Sequence, residues 1–213
     1  MAQRRLRTVR ADFLRSVRDC RQLAADAHRW SLPGAAPHIS RNRRDQLIEM
    51  AFLRAFLAWE VFIEESFVLY LAGQAPPRGR APRRFAFPPD FRTAGEWVIP
   101  EGRSYAGWTV PQHVSNRAER FFQEGRPFAP VLRSNQTALD ESRIIRNAIA
   151  HNSTGARGKF EALARPKLGG ILPPNLTVGA FLGTTIPGTA PPISFLEAYV
   201  GKIELAAGLI VRS

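Results

Sequence analysis

Apolar residues recur at helical spacing over most of this chain, and four stretches carry the pattern clearly. From about Gln3 to Trp30, Leu6, Val9, Phe13, Val17, Cys20, Leu23 and Ala24 fall three or four residues apart with Arg between them, predicting an amphipathic helix with a basic outer face. Ser31-Leu32-Pro33-Gly34 ends it, since Pro and Gly stop helices efficiently. A second helix, Arg41 to Ala72, is apolar in nearly every direction (Phe52, Leu53, Phe56, Leu57, Trp59, Val61, Phe62, Ile63, Phe67, Val68, Leu69, Leu71). Such a helix is either buried or membrane-spanning. Arg54, Glu60, Glu64 and Glu65 lie inside the window a span would need, and each is costly at bilayer depth. The reading is a central core helix, part of whose surface a second subunit covers.

Residues 73–112 break the pattern. Pro76-Pro77-Arg78-Gly79-Arg80, Pro82-Arg83-Arg84 and Pro88-Pro89 punctuate a connection that also carries Trp97, Tyr105 and Trp108. A connection this long has its own purpose or is partly disordered. Arg78, Arg80, Arg83 and Arg84 interleaved with Trp97 and Trp108 suit single-stranded nucleic acid, whose bases stack on rings while Arg meets phosphate. The plainer alternative is a loop pinned to the core by its aromatic side chains.

His113 to Glu124 predicts a short helix ended by Gly125-Arg126-Pro127, and Ser134 to Asn152 a longer one. Residues 160–193 read as an irregular connection, because Leu163 to Pro192 is rich in Gly and Pro, with room for a small hairpin around Leu176-Thr177-Val178. A last helix, Ser194 to Val211, places Phe195, Tyr199, Ile203, Ala206 and Ile210 on one side. The expected architecture is all-α: one domain, 1–213, a helical bundle with a long Pro/Arg-rich insertion loop (73–112) and an irregular segment before the C-terminal helix.

Composition narrows the function classes. An apolar share of 45% with 23% charged residues describes a globular protein, and the formal charge of +12 points to polyanions, nucleic acid ahead of anionic membrane. Nearly all the cations are Arg, with Lys159, Lys167 and Lys202 the only lysines, so genomic base composition is a competing cause of the charge. Cys20 is alone, which excludes an internal disulfide and a cysteine-based zinc site. No apolar run follows the basic N-terminus, and the chain reads as cytoplasmic with no membrane partner.

Chemistry concentrates in Arg146-Asn147-Ala148-Ile149-Ala150-His151. At about 100° per residue with Ile144 at zero, Ala148, Ile145 and Ile149 fall at about 40°, 100° and 140°, an apolar stripe expected to face the core. Arg146, Ala150, Arg143, Asn147, Asp140 and His151 occupy the opposite arc, and Asn147 lies one turn before His151. Arg and His near a helix C-terminus also complement the macrodipole, and Asn152-Ser153-Thr154-Gly155 is a stop signal in which Asn152 or Gly155 takes the left-handed conformation. Asp140 and Glu141 are adjacent acids and point in different directions on a helix, so no metal site is expected.

The hexapeptide resembles the signature of the HEPN superfamily, an Arg, a polar residue that is commonly Asn, and a following His closing the third main helix of an α-helical bundle. Ala58-Trp59-Glu60-Val61-Phe62-Ile63-Glu64-Glu65-Ser66-Phe67 resembles the helix preceding the motif helix in stand-alone bacterial HEPN-like nucleases of the toxin type, and Asn116 to Phe128 is also similar to that branch. The likeness covers about Leu47 to Ser153 and leaves the Pro/Arg-rich loop unexplained. It implies a metal-independent, cofactor-free endoribonuclease acting on single-stranded RNA at a composite site across a homodimer, a toxin or defence effector with a possible cognate antitoxin. Arg146, Asn147 and His151 would be catalytic, with Glu60, Arg143 and Asp140 supporting. Glu60 needs a partner in so apolar a stretch; Arg146 or His151 would serve, and so would Arg54 or another core arginine. A non-catalytic HEPN module for RNA or nucleotide binding or for assembly is the main alternative. A DNA-binding protein is a weaker one, since no helix-turn-helix or finger signature is present.

Overall fold

A computed structural model describes residues 4–102, 105–151 and 153–212. Among them the protein is helical, with no β-strand beyond two isolated bridges, Arg84 with Phe122 and Thr185 with Ser194. The helices are α1 (Leu6–Trp30), α2 (Arg41–Leu71), α3 (Phe91–Trp97), α4 (Pro111–Phe121), α5 (Phe128–Ser134), α6 (Gln136–Ala150), α7 (Thr154–Lys167), α8 (Val178–Gly183) and α9 (Phe195–Ile210). The all-α expectation is met. No helix among the described residues is long and apolar enough to cross a membrane. The chain divides into two compact units, one of residues 1–15, 58–140 and 202–213 and one of residues 16–57 and 141–201.

The first unit is built on the C-terminal half of α2, where residues 66–71 are all buried. Phe67 is its centre, with ring centroids 4.9 Å from Phe128, 5.1 Å from Phe122 and 5.4 Å from Trp108. Large rings in tilted and edge-on contact give this core both its buried area and its geometry. The Tyr70 hydroxyl donates to the Ile210 carbonyl at 2.8 Å, tying the end of α9 to the same cluster. α2 then stops in a Schellman turn: Gly73 takes φ +94°, its N–H meets the Tyr70 carbonyl, and Gln74 N–H meets Leu69 O at 3.0 Å. The Arg84 guanidinium donates to Leu71 O at 2.7 Å, a cation at the negative end of the helix dipole.

That contact corrects the reading of residues 73–112. Phe85 N–H bonds Phe121 O and Gln123 N–H bonds Arg83 O, both at 2.9 Å, so this part of the connection is stitched to the end of α4. Further on it forms α3, capped by Asp90, whose carboxylate accepts from Thr93 N–H at 2.7 Å. Trp108 is 8% exposed and packs in the core. The pinned-loop alternative holds for Arg84 and Trp108, because a helix end and an aromatic cluster each needed a partner.

In the second unit, Phe181 stacks on Phe195 at 4.5 Å and meets Phe160 edge-on at 5.6 Å, while Phe52 contacts Phe56 and Tyr199. Residues 160–193 are more regular than expected. α7 runs through Lys167, started by Ser153, whose hydroxyl accepts from Ala156 N–H. Phe160 and Ala164, one turn apart, are fully buried, and Pro166 falls in the last turn, next to the point where the helix stops. Gly155 is therefore in the first turn of a helix, not a left-handed terminator; Asn152 lies outside the described residues.

The β-branched piece around Val178 is the short helix α8. Thr177 caps it by accepting from Ala180 N–H and donates to Asp45 Oδ2, and Gly179 N–H donates to Glu49 Oε1 at 2.8 Å. A Cβ on Gly179 would stand 2.1 Å from the Asp45 carbonyl oxygen, so only glycine lets α8 lie against α2 this closely. Of the expected hairpin, only the Thr185–Ser194 bridge is present.

Candidate active site

α6 carries the site, and its seating differs from the helical projection. Its fully buried residues are Leu139, Ser142 and Ile145, at about 220°, 160° and 100° on the scale used above. Ile144, Ala148 and Ile149 remain half-buried. The helix is thus turned so that Ile145 lies at the edge of the buried arc instead of within an apolar stripe. The projection weighed only apolar side chains and missed that a serine is part of the inward face.

Glu141 holds α6 in the second unit. Its Oε2 accepts from the Tyr199 hydroxyl at 2.8 Å and lies 3.0 Å from Lys167 Nζ. Burial first, then the bond to the Glu141 carboxylate, pushes the Tyr199 phenol far above its ordinary value, so it remains a neutral donor. Lys167 also lies 5.9 Å from the Tyr199 ring centre, linking α6, α7 and α9 through one carboxylate. Sequence reasoning singled out Glu141 only as an acid beside Asp140. The signal for its anchoring role was tertiary, since Tyr199 is 58 positions away.

Beyond this anchor, Arg146, Asn147 and His151 follow on the last two turns. Arg146 Nη1 donates to Asn147 Oδ1 at 3.2 Å, which steers the guanidinium along the helix surface and fixes the amide. Arg146 is half-buried with Nε out of reach of solvent, and the same is true of Arg143. α6 ends at Ala150, and His151 N–H still bonds the Asn147 carbonyl at 2.9 Å, so the backbone of His151 completes the last helical turn. Ala150 and His151 are exposed. The arrangement joins a fork-shaped cation and an amide, bonded to each other, to an imidazole open to solvent. Such groups bind a phosphodiester and exchange a proton with it.

No protein-family model, curated protein or solved structure matches this chain. The remaining expected residues are distributed as follows. Glu60 and Asp140 belong to the first unit and both are half-buried, whereas Arg143, Arg146, Asn147 and His151 belong to the second. Arg78 and Arg80 are exposed and line a cleft of about 360 Å³ in the first unit with Arg126, Arg212, Pro82 and Pro127. Arg83 is exposed and reaches Gln123 at 3.4 Å. Trp97 is 47% exposed and faces a second cleft of the first unit. Trp108 is buried in the Phe67 cluster, and Arg84 is half-buried with its guanidinium on the end of α2.

Proposed function

We propose that this protein is a metal-independent endoribonuclease that cleaves single-stranded RNA at the Arg146/Asn147/His151 site. The observation that carries the proposal is the close of α6, where a guanidinium bonded to an amide is followed within one turn by a solvent-open imidazole. The resemblance of this hexapeptide and its flanking helices to HEPN nucleases supports the same reading. So does the excess of 30 Lys and Arg over 18 Asp and Glu, which favours a polyanionic substrate.

RNA brings its own nucleophile. The 2′-hydroxyl oxygen attacks the adjacent phosphorus, and its proton is taken up by an imidazole. The bond from phosphorus to the 5′-oxygen then breaks, and that oxygen receives a proton, leaving a 2′,3′-cyclic phosphate and a 5′-hydroxyl. His151 is the group that moves protons. Arg146 forks onto the non-bridging oxygens and stabilises the charge that builds on the phosphorane. Asn147, already bonded to Arg146, keeps that fork oriented.

Helical geometry sets Arg146 and His151 about 140° apart around the α6 axis, wide for one phosphate. A two-fold pairing of α6 helices would gather two Arg and two His around one target. The half-buried Ile144, Ala148 and Ile149 beside the motif supply apolar surface for that pairing. In this reading the active species is a homodimer, and a cellular RNase of this kind is restrained by an antitoxin.

The test is incubation of purified protein with single-stranded RNA in EDTA. Fragments ending in cyclic phosphate are expected, and His151→Ala should lower the cleavage rate by about 10²-fold or more. RNA left intact by folded protein removes the proposal.

A further inference from the structure

The first unit holds a second cleft, of about 450 Å³, walled by residues 97–101 on one side and by α4 on the other. We propose that it is a binding site for a single nucleotide, with the base stacked on Trp97 and the phosphate held by Arg120. This goes beyond the nuclease reading and does not rest on it. None of its residues belongs to α6.

Its cationic wall follows from helical spacing. His113, Asn116, Arg117 and Arg120 lie at intervals of three, one and three residues, which brings all four to one face of α4. Arg117 is only 8% exposed, and its position is fixed from two sides. Its guanidinium carbon lies 4.6 Å from the centre of the Trp108 ring, and Nη2 donates to the Ala106 carbonyl. A guanidinium packed on a buried indole is a fixed part of the wall, and it adds positive charge behind the cleft without leaving its place. Arg120 is exposed at the same face and extends the cationic surface outward, with His113 exposed beside it.

The opposite wall supplies a ring. Trp97 ends α3 with nearly half its surface open, although two other tryptophans, Trp59 and Trp108, are buried. Beneath it Val98 and Ala106 are almost fully buried and give an apolar floor. The Gln112 side chain donates to Asn116 Oδ1 at 2.6 Å, which leaves the Asn116 amide nitrogen to donate to a base edge. Glu101 at the rim can accept from an exocyclic amine.

An open indole, an amide and an exposed forked cation around a space of this size match a base joined to a phosphate, and the volume lies within the range of small-ligand sites. The cleft beside Arg78, Arg80, Arg126 and Arg212 lacks an exposed ring among its lining residues and would meet phosphate alone.

The nucleotide has two sources, a free mononucleotide or one unit of an RNA strand, and the experiment separates them. Tryptophan fluorescence and calorimetry are recorded in EDTA on the His151→Ala chain, so that no ligand is consumed. The ligands are AMP, GMP, CMP, UMP, adenosine, inorganic phosphate and an eight-nucleotide RNA. Saturable quenching is expected with at least one mononucleotide, or with the octamer alone if the source is RNA. Adenosine and phosphate should bind about tenfold more weakly or worse. Trp97→Ala and Arg120→Ala should each weaken binding by about tenfold, and Trp97→Phe should restore most of it. These side chains are exposed, so circular dichroism should be unchanged. Binding by none of the ligands, binding unaffected by either variant, or phosphate binding as tightly as any nucleotide overturns the site. Cleavage by the wild-type chain is read in a separate assay, so failure of one proposal does not count against the other.

Discussion

At the scale of single residues, Arg146 and Gly179 show how much depends on shape. Arg146 bonds Asn147 through one arm of its fork, and its planar, permanently charged group has the shape to meet two phosphate oxygens at once. A lysine keeps the charge but not the fork. Arg146→Lys is expected to lower single-turnover RNA cleavage by about 10²-fold while the protein stays folded, since one oriented donor to a developing oxyanion is worth that much. Cleavage within a few-fold of wild type would show that charge alone suffices.

Gly179 contrasts with this as a purely structural position. Its missing side chain admits the Asp45 backbone, and neither side of that contact is a flexible side chain that could yield. Gly179→Ala should destabilise the protein by about 1–3 kcal/mol, the usual range for overpacking, read as a lower urea midpoint at unchanged slope.

At the scale of elements, helices here are held by polar side chains reaching across sequence. Gln74 accepts from Leu6 N–H and donates to Arg4 O, satisfying the first turn of α1. Arg84 caps α2, Glu141 anchors α6, and Asp45 and Glu49 seat α8. His28, half-buried near the end of α1, gives the fold a pH dependence. Burial first, and then the Arg44 cation, hold its pKa below the ordinary histidine value, with Asp45 opposing.

The unfolded chain therefore binds a proton at His28 that the folded chain resists, and stability rises with pH between the lowered and the ordinary value. Acidification below about pH 6.5 should lower the urea midpoint, and His28→Gln should flatten that part of the profile. An equally steep profile in the variant would move the effect to another group.

At the scale of the whole molecule, the proposed activity requires more than one chain. If Arg146 of one copy and His151 of another serve the same phosphate, two inactive variants should complement each other. Mixing Arg146→Ala with His151→Ala protein, with subunit exchange allowed, is expected to recover a measurable fraction of cleavage. Recovery should disappear on dilution, as the mixed dimer dissociates. Lack of any recovery at micromolar concentration would place both groups in one chain. The formal charge of +12 favours RNA binding in either case and makes it salt-sensitive.

Helical periodicity alone determined where α1, α2, α6 and α9 run, because burying one face of a helix forces apolar residues into that spacing. The Arg146/Asn147/His151 group stood out in the sequence through the resemblance of its hexapeptide and because it is local to the end of one helix. The roles of Arg84, Trp108 and Glu141 were not legible there, and neither was helix α8. The bond of Arg84 to the end of α2 and the place of Trp108 in the Phe67 cluster join residues far apart in the chain. α8 is six residues long, too short to announce itself by period, and forms where Thr177, Asp45 and Glu49 meet. Sequence thus decided what each segment could become on its own. Which polar group satisfies which helix end, and which ring stays open to a ligand, depended on partners brought together only by folding.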